Sequence, residues 1–524
     1  MGRLSEPRLY VLAAAAYVLF CLAVQVSTGA WQADFVAYPD EPSHFVGAVM
    51  IRDWLVSGRW FSPLGFAREY YVRYPYFALG YWPPLFYLGT GAWLAAGGVG
   101  RAQALVAPLL FAAGTAWLVF WLARRRAGRV GGLCAGFLYL SLPAAQVWLC
   151  SVMVDHMTAF FCLAGGAATL YYFEQPGYGR GALCAAGIAC GVLSKYSAAY
   201  TVGLPFLAAL LGRRWNLFRQ PSLLMQPLIV AAATAPWVLW TRHLTFKGLP
   251  AGKSVLTFER VGLFVAETLR IFPPVLLAAL FVALMALVLL PQVWRIDLGV
   301  LSLLAAAHVS FLILSPVGPE QRYLLAPAAA LLVLSVAGAA AILSLRGWTA
   351  PQRIVLPVVM ALLTGPFCAM HAGKYPRPPR EQIRPVVEWI LEAGGRKGRR
   401  VLVPPDGEGP FIAAFVELDP RRSDYVLLRP SKVLAQMDWF GGHYVSRFQN
   451  PGQVMDYLRS EPVNLVICRE KPRPAMSEHE RILREALARN PEAWRKAAAF
   501  PGAGRGLSSW SVYELVPAPH VRVN

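Results

Sequence analysis

Asp40 and Glu41 are adjacent carboxylates, and His44 follows one helical turn later, in the stretch "AYPDEPSHFVGAVMIRDWL". Asp155 and His156 are adjacent in "CSVMVDHMTAFF". Lys195 stands in "GVLSKYSAAY", and Glu320, Arg322 and Tyr323 lie in "SPVGPEQRYLLAP". Arg242, His243, Lys247, Lys253 and Arg260 dot the segment 242–269. Carboxylates can deprotonate a hydroxyl or bind a metal, and cations can hold a phosphate. Together they suggest transfer of a group from a phosphorylated carrier.

Each residue also has a plainer reading. Asp40 and Glu41 suit the start of a helix, with Pro42 in its first turn, and His44 could simply hold them in place. His156 reads equally as a packed interfacial histidine. Any one cation could be an anchor reaching from a helix end into water. Acids on two separate segments, with bases on three others, are harder to explain that way. A divalent metal bridging Asp40, Glu41 and Asp155 is a further option that the residue types allow.

The elements that must position these groups are membrane helices. The chain is 524 residues long, 56% hydrophobic and only 15% charged, whereas soluble domains are nearer a quarter charged. Apolar runs recur from residue 8 to about 371. The formal net charge of +20 does not indicate nucleic acid, because the basic residues fall in short clusters between apolar runs. Seven of the eight cysteines lie in or beside apolar segments and Cys468 lies alone in the polar tail, so neither a disulfide framework nor a zinc site is expected. The N-terminal apolar run of about 20 residues exceeds a signal-peptide core and reads as an uncleaved first helix.

Lys and Arg collect on the cytoplasmic side of membrane helices. If the short, Pro- and Gly-broken run at 83–100 crosses the bilayer, Arg124, Arg125 and Arg126 fall outside. If it lies re-entrant or interfacial, crossings at 103–123, 130–149, 155–173, 181–194, 197–212, 221–241, 270–291, 298–314, 323–345 and 353–371 place every basic cluster inside. With the first helix this gives about 11 transmembrane helices and an external tail. The expected fold is therefore a polytopic α-helical membrane protein with interfacial helices in its first external loop (about 29–102). Residues 1–371 form the transmembrane domain and 372–524 a small C-terminal extracytoplasmic α/β domain. Gly187 and Gly191 are spaced for close helix packing. In the tail, "RVLVPP", "DYVLLRP", "NLVICRE" and "SVYELV" read as strands alternating with amphipathic helices.

Four local patterns, in this order and spacing, resemble the GT-C membrane glycosyltransferases, in particular the group of protein O-mannosyltransferases and the lipid A aminoarabinose transferase. They are "PDEPSHFVGAVMIRDWLVSGRW", "YWPPLFYLGTG", "VMVDHMTAFFCLAGGAATLYYF", and the pair "GVLSKYSAAYTVGLP" with "RYLLAPAAALL". The resemblance covers about 8–371. It implies inverting transfer of a monosaccharide from a polyprenyl-phosphate donor to an extracytoplasmic glycan, lipid or protein acceptor, at a hydroxyl or phosphate. By this resemblance Asp40 is the candidate general base, Glu41 either its support or an acceptor-binding group, and Asp155 a second acid orienting acceptor or sugar. Lys195 and Arg322 would neutralise the leaving phosphate, with Tyr323 hydrogen-bonding it. Where the aminoarabinose enzymes carry an acidic–basic pair before Pro-Pro, this chain has Tyr81 and Trp82, so that role falls to Arg73 or Lys195 or is not filled at all, and the two aromatics could stack on sugar or isoprene. The mannosyltransferase resemblance argues against a required metal, and no cofactor is expected. The compact loops and tail fit a bacterial inner-membrane enzyme working on the periplasmic face. The competing readings are a transporter or flippase for a lipid-linked sugar, and a non-catalytic subunit that binds polyprenyl phosphate. Charges at helix ends and the lack of a visible repeat favour the enzyme.

Overall fold

A computed structural model describes residues 6–77, 80–245, 257–289, 296–314, 320–349, 355–372, 381–392, 399–419, 422, 425–437, 442–471, 475–502 and 508–516. Two compact units divide the chain. One holds Met1–Ala30, Gly80–Phe86 and Leu105–Arg377; the other holds Trp31–Leu79, Tyr87–Ala104 and Pro378–Asn524. Most of the segment 29–102 thus folds with the tail, rather than with the helices on either side of it in sequence.

Helix α1 (Glu6–Thr28) has 23 residues, and at 1.5 Å each it reaches about 35 Å, enough for a hydrocarbon core of about 30 Å. Helices α2 (Glu41–Val56), α3 (Pro63–Arg73), α4 (Leu85–Gly97) and the single turn α5 (Arg101–Ala104) follow. Pro42 and Pro63 sit in the first turns of α2 and α3, where a backbone N–H has no helical partner to lose. The 13 residues of α4 reach only about 20 Å, too short to cross.

Helix α6 (Val106–Ser141) turns at Gly128, whose φ of 74° suits glycine and strains other residues. That elbow falls in "RRRAGR", between the two crossings expected there. Leu142, extended ahead of Pro143, then separates α7 (Pro143–Leu149), so the stretch 130–149 is two helices rather than one. Helix α8 (Asp155–Glu174) returns and α9 (Tyr178–Ser194) packs back along it. Their contact is built from small residues. A Cβ on Gly187 would sit 3.5 Å from the Gly165 backbone, and one on Gly165 would press Ile188 at 3.3 Å.

A 3₁₀ segment (Tyr196–Gly203) leads into α10 (Leu204–Leu211), and α11 is Pro221–Thr245. The amphipathic α12 (Phe258–Ile271) meets α13 (Pro274–Leu289) at 117°, where Pro273 and Pro274 remove amide donors. Helix α12 fills much of the 242–269 segment, while Lys247 and Lys253 lie outside the described residues. Helix α14 (Ile296–Leu314), a 3₁₀ turn (Gln321–Leu324), α15 (Leu325–Leu345) and α16 (Val355–Ala372) complete this unit. Among the described residues, five helices are long and apolar enough to cross a membrane, or six if the bent pair counts as one span.

Charge is segregated along these helices. Glu6 pairs with Arg124 and Arg129, Arg125 with Glu174, and Arg126 with Asp297, each at 2.6–2.8 Å. Glu174 ends α8 and Asp155 begins it. Twenty helical residues separate these ends by about 30 Å, one hydrocarbon thickness.

In the second unit α17 is Ile383–Glu392, α18 Glu408–Leu418, α19 Pro430–Val433, α20 Pro451–Ser460 and α21 Glu478–Arg489. The strands are β1 (Arg400–Leu402), β2 (Val426–Leu428), β3 (Ala435–Gln436), β4 (Val445–Ser446), β5 (Val463–Arg469), β6 (Trp494–Phe500) and β7 (Trp510–Leu515). Five form one sheet in the order β2-β1-β5-β7-β6, with β2, β1 and β5 parallel and β7 and β6 antiparallel. The near-continuous apolar run of β5 suits a central strand covered on both faces. Cys468 lies in that core beside Val466 and Leu483. The four stretches read as strands contribute β1, β2, β5 and β7. Strand β6, "WRKAAAF", has neither β-branched residues nor strict alternation, and is held by its pairing with β7.

Candidate functional site

In the helical unit the site begins with an ion pair between two helix ends. Asp155 occupies the first turn of α8, and Lys195 follows the last residue of α9. The glycine contacts that draw the helices together therefore bring these residues side by side. Lys195 Nζ lies 2.6 Å from Asp155 Oδ1, with both side chains nearly inaccessible. Such a partner offsets the cost of burying either charge.

The same ammonium lies 4.3 Å from the centre of the Tyr323 ring and 6.0 Å from that of Trp82, in range for cation–π attraction. Tyr323 stands in the 3₁₀ turn before α15 and brings Arg322 with it. Arg322 Nη2 donates to the Tyr323 hydroxyl at 3.0 Å, and its guanidinium carbon is 4.9 Å from the Tyr323 ring and 6.0 Å from that of Trp148 on α7. Glu320 holds Arg322 Nε at 2.7 Å. His308, buried in α14, donates from Nε2 to the Tyr323 carbonyl at 2.8 Å and so fastens the turn from behind. Two cations thus face one phenol ring, an arrangement suited to a phosphate-like anion. His156 donates from Nε2 to Ala145 O at 3.0 Å and ties α8 to α7, which is a packing role.

In the second unit Asp40 precedes α2 without capping it through its side chain. Glu41 is fully buried and pairs with Arg101 Nη1 at 2.7 Å. Arg101 also lies 4.9 Å over the Phe35 ring, and its backbone N–H donates to Glu417 at 2.8 Å. His44 Nδ1 is 2.9 Å from the Tyr87 hydroxyl. Gly47 admits that tyrosine, since a Cβ there would meet the ring at 2.9 Å. Burial, aided by the Asp40 charge, holds the Tyr87 phenol well above its usual pKa. Arg73 lies exposed in the last turn of α3, and Tyr81 is half-buried beside Trp82 in the helical unit.

The structure therefore gathers Asp155, Lys195, Arg322, Tyr323 and Trp82 in one unit. It sets Asp40, Glu41 and His44 along the first turns of α2 in the other, whose α3 carries Arg73. Glu41 is committed to Arg101, so its geometry supports the helix start rather than chemistry. The sequence reading passed over Arg101, Tyr87, Trp148 and His308. Arg101 is a lone cation between two apolar runs, and His308 an ionisable group within an apolar helix. Both are signals that mark functional or structural polar sites in membranes. Among the described residues, no group of three or more His, Cys, Asp or Glu side chains is placed to hold a metal ion.

Residues 82–240 match the family of dolichyl-phosphate-mannose-protein mannosyltransferases. No curated protein sequence matches the chain. Its fold is similar to that of ArnT from Cupriavidus metallidurans bound to undecaprenyl phosphate, at 15% identity and TM-score 0.62, covering 95% of this chain and 97% of that one. The apo state of the same protein gives 16% identity, TM-score 0.59, and coverage of 95% and 98%. The Archaeoglobus fulgidus oligosaccharyltransferase in complex with Zn and sulfate is similar at 12% identity and TM-score 0.53, over 86% of this chain and 68% of that one. The chain resembles the GT-C membrane glycosyltransferases, in sequence over 82–240 and in fold over nearly all its length.

Proposed function

We propose that the protein is an inverting glycosyltransferase that moves a monosaccharide from a polyprenyl-phosphate donor to an extracytoplasmic acceptor hydroxyl or phosphate. The observation that carries this reading is the pairing of Lys195 and Arg322 over the Tyr323 ring. It lies at helix ends about 30 Å along α8 from the arginine-rich belt. The undecaprenyl phosphate bound by the similar ArnT structure is an anion of the class such a cluster would receive.

The acceptor oxygen attacks the anomeric carbon, and the bond from that carbon to the phosphate oxygen breaks. Asp40 takes the acceptor proton when the acceptor is a hydroxyl. The phosphate leaves with the bonding electrons, its developing charge met by Lys195 and Arg322 and hydrogen-bonded by Tyr323. Asp155 holds Lys195 in place, Glu41 and His44 brace the start of α2, and Trp82 and Tyr81 offer aromatic faces to the sugar or first isoprenes. The reading has eleven crossings, with the tail and these residues on the periplasmic face of a bacterial inner membrane. It requires no divalent metal.

The test is transfer by purified protein in detergent, with a panel of radiolabelled polyprenyl-phosphate monosaccharides, a membrane extract as acceptor, and EDTA in parallel. The reading predicts label in an acceptor from at least one donor, with EDTA without effect. Loss of transfer with EDTA would contradict metal independence. Donor movement across reconstituted vesicles without consumption would favour a lipid-linked-sugar transporter, and binding without either would favour a polyprenyl-phosphate-binding subunit.

A further inference from the structure

In open α/β sheets, ligands settle at the carboxyl ends of the parallel strands. In the tail, the residues gathered there are Asp406 and Glu408 after β1, Arg429 and Ser431 after β2, and Arg469 ending β5. That edge holds a segment of the same chain, the turn after α3. Arg429 Nη1 donates to Pro75 O at 3.1 Å, and its guanidinium carbon lies 4.5 Å from the centre of the Tyr76 ring. Gly409, at the start of α18, gives the ring its room. A Cβ there would fall 2.5 Å from two ring carbons of Tyr76.

Arg429 is itself tightly set. Glu408 accepts its Nε at 2.8 Å and also accepts the Ser431 amide at 2.6 Å and hydroxyl at 2.7 Å. On its far side the Tyr76 hydroxyl reaches Pro39 O at 3.5 Å, the carbonyl immediately before Asp40. Burial pushes the Tyr76 phenol up to about 12, and the Asp40 charge adds to the shift, so the two groups are electrostatic neighbours. The tail also holds α2 at both ends. Asp34, ahead of the helix, accepts the Glu381 amide at 2.5 Å, and Arg422 donates to Asp53 near its end at 2.6 Å.

We propose that the tail is the mount for Asp40: the carboxyl edge of its parallel strands, through Arg429, fixes the turn at Tyr76 and with it the Pro39–Asp40 entry to α2. Arg429 is then a positioning residue for the base, and the inference rests on the assignment of Asp40 to that role. Misplacing a reacting group by about 1 Å costs on the order of 100-fold in rate. The proposed function assigns donor binding to Lys195 and Arg322, which belong to the helical unit and not to the unit that holds Arg429.

The experiment compares wild type, Arg429→Gln and Tyr76→Phe for steady-state transfer and for amide hydrogen exchange of the peptide 36–48. Arg429→Gln is expected to lower kcat roughly 10- to 100-fold with donor KM within about twofold, and to speed exchange at the start of α2. Tyr76→Phe keeps the ring under Arg429 and removes only the reach to Pro39, so it should show the same split to a smaller degree. Unchanged kcat and unchanged exchange in Arg429→Gln would overturn the proposal, as would a loss confined to donor KM. Should wild type transfer no sugar, the glycosyltransferase reading fails, and the exchange result alone decides whether the tail mounts α2.

Discussion

The proposed function asks two things of Lys195 that pull against each other: its charge is buried beside Asp155, and it has to meet an incoming phosphate. Asp155 at 2.6 Å meets the first need and the Tyr323 ring shapes the second. Removing one partner of such a pair strands the other charge in a dry site, a loss of about 3–5 kcal/mol. Lys195→Met is therefore expected to lower stability by that order in thermal or denaturant unfolding in detergent. The double change Lys195→Met with Asp155→Leu should recover much of it. A loss below about 1 kcal/mol for the single change would contradict this account of the pair. These residues were legible in the sequence because ionisable groups at the ends of apolar runs stand out. The partners of Glu41 and His44 were not. Arg101 and Tyr87 lie far along the chain from them, and no spacing rule links residues that meet only after folding.

At the scale of elements, the site depends on how closely α8 and α9 approach. Their ends carry Asp155 and Lys195, and their contact is set by Gly165 and Gly187. Gly187→Leu must force the helices apart, at roughly 1–3 kcal/mol for overpacking. It should also raise donor KM, since the lysine moves with the end of α9. An unchanged KM and unfolding midpoint would show that α9 does not set the lysine's place. The small-residue spacing of α9 was readable in advance, because glycines a turn apart in an apolar run have few other uses in a membrane. The elbow of α6 was half readable. Its basic cluster gave the position, where Gly128 makes the elbow, while the Leu142–Pro143 step decided that the following stretch would be broken into two helices. Strand β6 was invisible because alanine-rich sequence carries no strand preference of its own, and its neighbour β7 imposes the conformation.

For the molecule as a whole, the charge pattern located the apolar helices but not the way the chain divides into compact units. Residues 31–79 and 87–104 fold with the tail through ion pairs and turn contacts whose partners are hundreds of residues apart, such as Arg422 with Asp53. No local signal announces such a pairing. The division gives each proposed role its own support. The cations and phenol proposed for the phosphate stand at helix ends of the helical unit, and the carboxylate proposed for the acceptor stands at the start of a helix in the unit that holds the α/β sheet. The most direct test of that account is a single-turnover comparison of wild type and Asp40→Asn, measuring polyprenyl-phosphate binding, release of polyprenyl phosphate and formation of glycosylated product. The account predicts that Asp40→Asn binds the lipid phosphate as wild type does but forms product at least about 100-fold more slowly. Product formed at the wild-type rate would remove Asp40 from the reaction.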